Sequence, residues 1–321
     1  MSLQITKLSK RLGNDWVLKD VTFETDRRHV FGIFGPAASG KTTLLKTIAG
    51  QLRDDGGTIA VDGRDITHIG AKQRGVSYHD GSVKQVALRI FGWGRDELSG
   101  GEQQVRSFEN ILKGAGPVVL LDDPFRSMDP QMKLQCFETV GQIASDKIVV
   151  FASSDFEQMA LLADEMAVLV NGEIVQAGDP QDVYDAPETA AVASITGANN
   201  VFAARRLTST NADLPEFLTL EGSHRVFAQS VSKSRLGSIN QNVMLAVRPE
   251  QVMISLGASF PEDNLVKAVV KGFKRIGPTS LVQFDASGLE IDARVFRVVG
   301  LEIGEECMLS LPTKSILVLK D

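Results

Sequence analysis

Apolar residues in the first two thirds of the chain fall into short continuous runs, and in the last third they alternate with polar ones. VFGIF, from Val30 to Phe34, is an apolar run of strand length followed by a glycine-rich turn. After that turn Leu44, Leu45 and Ile48 recur at helical spacing, which predicts a strand, a loop and a helix in succession. VVLLDDP at 118–124 is a second apolar run, the pattern of a strand buried on both faces of a parallel sheet. The last helix-like stretch runs from Pro187 to Ile195, and beyond it the period changes from helical to alternating. VKAVVKGF, SLVQFDA, LEIDARV, CMLSLP and ILVLK are short, β-branched and separated by Gly, Pro or Asp, which predicts a small barrel. The pattern therefore predicts an α/β domain over 1–198 and an all-β domain over 199–321.

Composition narrows the setting. The 321 residues suffice for about two domains, each with a sizeable core. The longest apolar runs fall far short of the roughly 20 residues that a membrane helix requires, and MSLQITKLSK lacks a signal-peptide core. Cys136 and Cys307 lie in different predicted domains, so a reducing compartment without a structural disulfide is expected. A net charge of −6 gives no argument for nucleic acid. No basic amphipathic run or lipidation signal is present, so membrane association is expected only through protein partners.

The candidate chemistry starts at GPAASGKTT, residues 35–43, where Gly35, Gly40, Lys41 and Thr42 occupy the fixed places of a phosphate-binding loop. Within Gly35, Pro36, Ala37, Ala38, Ser39, Gly40, Lys41, Thr42 and Thr43, the glycines let backbone N–H groups close around phosphate oxygens, and the helix start adds positive potential. Lys41 is then expected to reach the outer phosphates and Thr42 to ligate Mg²⁺. Asp122 and Asp123 are delivered at the carboxyl end of the second apolar strand, where ligands gather. Asp122 is the candidate to hold Mg²⁺ through its water shell, since that ion keeps several waters and needs few protein oxygens. Taken alone, the glycine turn or the acidic pair could be purely structural.

Six elements in order, GPAASGKTT, LSGGEQQ at 98–104, VVLLDDP, SMD at 127–129, SSD at 153–155 and ADEMAVLVNGEIVQAGDP at 163–180, resemble the ATPase subunits of ABC transporters. DVYDAPETAAVASITGANN at 182–200 and AVRPEQVMI at 246–254 are similar to the importer ATPases that carry a C-terminal regulatory domain. The resemblance covers nearly the whole chain. It implies a P-loop NTPase of the ABC nucleotide-binding type followed by an OB-like barrel, with ATP and Mg²⁺ as ligands. It also implies a cytoplasmic location on the inner face of the membrane. The partners implied are a second ATPase subunit, two integral membrane permease subunits, and a periplasmic or lipid-anchored solute-binding protein. Two such ATPase subunits face each other head to tail, so each contributes to two sites. Ser99, Gly100 and Gly101, with Glu102 next in line, would present a hydroxyl and backbone N–H groups to the partner's nucleotide, and Asp129 would supply the facing loop.

Several positions depart from the family. Asp123 stands where the family has the glutamate that polarises the attacking water, and it is one methylene shorter. Ser154 stands where the family has a histidine, and serine cannot carry its charge. The family's glutamine position falls on Asp80 or Gly81, with Gln85 available if the loop is shifted. From Ser82 to Glu97 only sixteen residues replace a several-helix insertion, enough for about one short helix; the helical subdomain is accordingly expected to be truncated. The adenine-stacking ring position falls on Leu12, so Trp16, beside Val17, either takes over stacking or is ordinary packing. The resemblance thus implies a degenerate subunit of an uptake transporter that pairs with an unlike, complete ATPase chain and carries a sugar or polyol such as glycerol. Its alternatives are a symmetric homodimer with slow hydrolysis and a nucleotide-responsive regulator outside any transporter.

Overall fold

The computed structural model describes residues 1–81, 100–126, 128–197, 200–211, 213–229, 231, 233–255, 264–296 and 300–320. The chain folds as two compact units, Met1–Val183 and Tyr184–Asp321.

The first unit begins with strands β1 (Ser2–Leu12), β2 (Asp15–Asp26) and β3 (Val30–Phe34), then helix α1 (Lys41–Ile48). Strands β4 (Gly56–Val61), β5 (Arg64–Asp65) and β6 (Val76–Asp80) follow, then helix α2 (Gly100–Gly114) and strand β7 (Val118–Asp122). Helix α3 (Pro130–Ala144), strand β8 (Ile148–Ser153), helix α4 (Phe156–Leu162) and strands β9 (Glu165–Val170) and β10 (Glu173–Gly178) complete it, and the division falls within helix α5 (Pro180–Asp185).

Two sheets share one core. The first is antiparallel in the order β2-β1-β4-β5, and the second runs β10-β9-β3-β8-β7-β6. In the second, β9, β3, β8, β7 and β6 are parallel, and β10 is an antiparallel edge. Every residue of β3, β7 and β8 is buried, which explains why their sequences are continuous rather than alternating. In β1, by contrast, Leu3, Ile5 and Leu8 point into the core between polar neighbours. The side chain of Phe125, after β7, packs edge-on against Phe108 of α2, Phe137 of α3 and Phe151 of β8. This aromatic knot fixes the two helices on one face of the sheet.

The second unit contains helix α6 (Ala190–Ile195), strands β11 (Asn200–Arg206), β12 (Glu216–Thr219) and β13 (Arg225–Phe227), helix α7 (Lys233–Leu236), and strands β14 (Asn242–Val247) and β15 (Met253–Ser255). Strands β16 (Asn264–Ile276), β17 (Thr279–Ala286), β18 (Leu289–Val295), β19 (Glu306–Leu311) and β20 (Leu317–Leu319) follow. They form two antiparallel five-stranded sheets, β13-β12-β11-β14-β20 and β15-β19-β16-β17-β18, around a common apolar core. The first unit is therefore α/β and the second nearly all β.

The division between units lies earlier than the 198/199 expected from the change of period, and Arg248 shows why. Its guanidinium is 2% exposed, stacks on the Tyr184 ring at 3.3 Å, and donates to the carbonyl oxygens of Tyr184 and of Thr196, the latter at 3.3 Å. Burial pushes the guanidinium pKa down. Ala193 of α6 packs with Ala246 and Leu319, so 184–197 belongs with the second unit.

Candidate functional site

Parallel register brings the expected site residues together. Phe34 at the end of β3 pairs with Ser153 at the end of β8, and Ala152 pairs with Asp122 at the end of β7. The loop after β3, the acidic pair after β7 and Ser154 after β8 therefore emerge side by side at the carboxyl edge of the sheet, where open α/β sheets bind ligands. A cleft of about 700 Å³ opens there, lined by Val17, Ala37, Ala38, Ser39, Gly40, Lys41, Thr42, Thr43, Asp123, Arg126, Lys133, Ser153, Ser154, Asp155 and Gln158, with Asp122 outside this lining.

The loop is built for close approach. Gly40 caps α1 with φ of 109°, a conformation that favours glycine, and a Cβ there would stand 2.8 Å from the Val17 carbonyl oxygen. A Cβ on Gly35 would stand 2.2 Å from the carbonyl oxygen of Leu169. Lys41 Nζ donates to the carbonyl oxygens of Gly35 at 2.8 Å and Pro36 at 2.9 Å, so the ammonium is held against its own loop. Burial lowers the Lys41 pKa, opposed by the carboxylates of Asp123 and Asp122. Ser39 Oγ is buried without a hydrogen-bond partner. An orphaned hydroxyl, a buried ammonium and the amide donors of a helix start are a donor set that fits a polyphosphate.

Asp122 is 7% exposed and accepts a hydrogen bond from Tyr78 Oη at 2.8 Å. The Tyr78 pKa is raised by burial and by this carboxylate. Among the described residues no group of three or more His, Cys, Asp or Glu side chains could hold a metal by themselves. One buried carboxylate and a loop hydroxyl, Asp122 and Thr42, fit an ion that keeps most of its water shell and is shared with phosphate, as Mg²⁺ is.

Asp123 has φ of 46°, uncommon outside glycine, and its N–H donates to Ala152 at 3.0 Å. Gly81, where a glutamine was sought, has no room for a side chain, because a Cβ would lie 2.4 Å from the Asp123 carbonyl oxygen. Gln85 lies outside the described residues. Ser154 is exposed in the cleft. Behind it, Ser153 Oγ donates to Gln158 Oε1 at 3.0 Å, and Gln158 Nε2 donates to Asp155 at 2.9 Å. Histidine is absent from the described lining of the cleft.

Other expected residues are placed elsewhere. Leu12 and Trp16 lie at the tip of the β1–β2 hairpin, 48% and 42% exposed, with the Arg11 guanidinium 3.9 Å from the Trp16 ring centroid. Of this hairpin, Val17 is the residue that lines the cleft. Gly100, Gly101 and Glu102 open α2, and Ser99 lies outside the described residues. Asp129 caps α3, its carboxylate accepting from Met132 N–H at 2.9 Å. Arg126, Lys133 and Gln158 line the cleft although no motif names them. Arg126 and Lys133 flank SMD, and a pair of cations beside that motif is the signal the sequence carries.

Residues 18–89 match the ABC transporter family. A sulfate/thiosulfate import ATP-binding protein of Caulobacter vibrioides is 30% identical over 243 residues, 63% of this chain and 72% of that protein. A spermidine/putrescine import ATP-binding protein of Fusobacterium nucleatum is 26% identical over 290 residues, 79% of this chain and 76% of that one. A second sulfate/thiosulfate import ATP-binding protein, of Shewanella oneidensis, is 25% identical over 356 residues and spans 95% of both chains. Among solved structures, a bacterial Atm1-family ABC exporter with ATP bound superposes with a TM-score of 0.50 at 18% identity, covering 60% of this chain and 41% of that one, a likeness of fold alone.

Proposed function

The chain belongs to the ATP-binding proteins of the ABC transporter family, and from that premise we propose that it is the ATP-binding subunit of an uptake system whose own site binds nucleotide but turns it over slowly. The observation that carries the second half is the cleft lining: Ser154 is neutral and exposed where a titratable orienting group would be useful, and Asp123 is the carboxylate available to act on water. The uptake direction draws on relatives named as import proteins.

In this reading Gly35 to Thr43 surround the phosphates with backbone N–H groups, Lys41 leaves its loop carbonyls for phosphate oxygens, and Thr42 and Asp122 face the metal. Mg²⁺, when bound with nucleotide, neutralises phosphate charge. Asp123 is held at a fixed backbone angle, and its short side chain reaches toward water at the carboxyl edge of β7. The segment Ser99 to Glu102, of which Gly100 to Glu102 open α2, is offered to a facing, unlike ATPase chain, together with Asp129 at the N-cap of α3. Two permease subunits and a solute-binding protein complete the assembly and choose the solute, a sugar or polyol on the family resemblance. The relatives compared are named for polyamine and sulfate import. The β unit serves as the OB-like regulatory domain, and attachment to the cytoplasmic face of the membrane runs through the permease.

A symmetric pair with slow hydrolysis at both sites is the second reading, favoured by the placement of Asp123 in the cleft. Steady-state ATP turnover of the purified chain, alone and with an unlike ATPase chain, separates the two. The proposal expects retained ATP without turnover alone, and turnover on assembly that Ser99→Arg abolishes. Brisk turnover by the chain alone sinks it.

A further inference from the structure

We propose that Arg126, on the turn after β7, is the ligand of the nucleotide's terminal phosphate, with Lys133 of α3 as a second cation beside it. The inference rests on the reading of the cleft as an ATP site. Among the described residues three cations line that cleft, Lys41, Arg126 and Lys133. They differ in what they are doing. Lys41 is engaged by the carbonyl oxygens of Gly35 and Pro36 at the centre of the loop. Arg126 is exposed, and among the described residues neither its guanidinium nor the Lys133 ammonium has a hydrogen-bond or ion-pair partner.

The carboxylates nearby do not consume this charge. Asp155 gives its two oxygens to Glu157 N–H at 3.0 Å and Gln158 Nε2 at 2.9 Å. Asp123 faces the cleft, but its contact with Arg126 is through backbone, from Arg126 N–H to the Asp123 carbonyl oxygen at 3.4 Å. Two unpaired cations left in a concave site cost nothing while solvated and gain when an anion arrives.

Their position selects the phosphate. The Val17 carbonyl lies against Gly40 at the start of α1, and the register of β3 with β8 and of β8 with β7 sets the carboxyl ends of β8 and β7, with Ser154 and Asp123, successively beside the loop that carries Lys41. Phosphates held by the loop amides would lie at the end of β3, so that an additional phosphate has the neighbouring ends of β8 and β7 within its surroundings. Ser154 contributes no charge there. The planar fork of Arg126 can take two oxygens of one phosphate, a geometry that a lysine cannot reproduce. Arg126 thus discriminates a nucleoside triphosphate from a diphosphate, while the loop binds both.

The test is equilibrium binding of ATP and of ADP, each with Mg²⁺, to the full chain and its variants. Arg126→Gln is expected to weaken ATP about tenfold and ADP by less than about twofold, with Arg126→Lys recovering part of the loss. Lys133→Gln should act in the same sense and more weakly. Because the Arg126 side chain is exposed and unpartnered, its thermal unfolding should match that of the wild-type chain. Equal weakening of ATP and ADP, or no change in either, overturns the inference. If the wild-type chain binds neither nucleotide, the ATP-site reading fails with it, whereas wild-type binding untouched by Arg126→Gln overturns only the role of Arg126.

Discussion

Replacing Lys41 with methionine separates a lysine that holds the fold from one that waits for phosphate. The ammonium makes two bonds to loop carbonyls, at 2.8 and 2.9 Å, and hydrogen bonds to a charged group contribute about 1.5–3 kcal/mol each. Against this stands the cost of taking the charge out of water. Burial lowers the Lys41 pKa despite the attraction of Asp123 and Asp122, so desolvation is the larger of the two. Methionine keeps the apolar stem in place and removes the buried charge. The net change in folding stability should therefore stay within about 1 kcal/mol in urea unfolding at pH 7. The pH dependence has a definite sign. A depressed lysine pKa means that the unfolded chain holds the proton more tightly, so this group's contribution to stability rises with pH toward 10.5, and the wild-type chain gains on the variant there. ATP affinity should behave differently, because the lost contact is a charge-assisted bond to phosphate in a partly desolvated site. A loss of about 3 kcal/mol corresponds to roughly a hundredfold in Kd, measured by calorimetry. A variant destabilised by more than about 3 kcal/mol, or one that binds ATP as tightly as wild type, would refute this division of labour.

Two further substitutions probe the scaffold. Gly35→Ala places a methyl group 2.2 Å from the Leu169 carbonyl oxygen, so backbone must move; the expected cost is about 1–3 kcal/mol, with loss of nucleotide binding, and an unchanged urea midpoint would contradict the packing described. Arg248→Met leaves the carbonyls of Tyr184 and Thr196 without their donor, an expected loss of about 2 kcal/mol confined to the second unit. Hydrogen exchange should report faster opening of 184–197 with the amides of β3, β7 and β8 unaffected, and uniform loss of protection in both units would count against the assignment.

Much of this architecture is legible in the amino-acid order, and the exceptions have physical causes. Continuous burial of β3 and β7 writes itself as an unbroken apolar run, and the alternation in β16, β17 and β18 reflects one buried face. Strands as short as Glu216–Thr219 and Arg225–Phe227 offer too few residues for a period to show. The phosphate loop carries its chemistry in consecutive residues, so Lys41 and Thr42 can be named without a fold. Arg126, Lys133 and Gln158 reach the same cleft only because β7 and β8 run parallel in a fixed register, which no local spacing records. The hairpin register likewise decides the fate of Leu12 and Trp16: pairing Arg11 with Trp16 and Leu12 with Asp15 sets both at the tip. The contact of Arg248 with Tyr184 and Thr196 spans 64 and 52 residues, so the start of the second unit is invisible to a change of period.

On the proposed function, a site that turns nucleotide over slowly and an LSGGEQQ segment offered to a partner make opposite demands on the assembled transporter. The most direct test of that proposal is uptake into reconstituted vesicles containing this chain, the proposed unlike ATPase chain, the permease and the solute-binding protein, with ATP inside at saturating concentration. If Ser99 serves the partner's nucleotide as proposed, Ser99→Arg is expected to abolish transport, whereas Asp123→Asn should leave most of it. Equal losses from the two substitutions would show two equivalent sites and contradict the account.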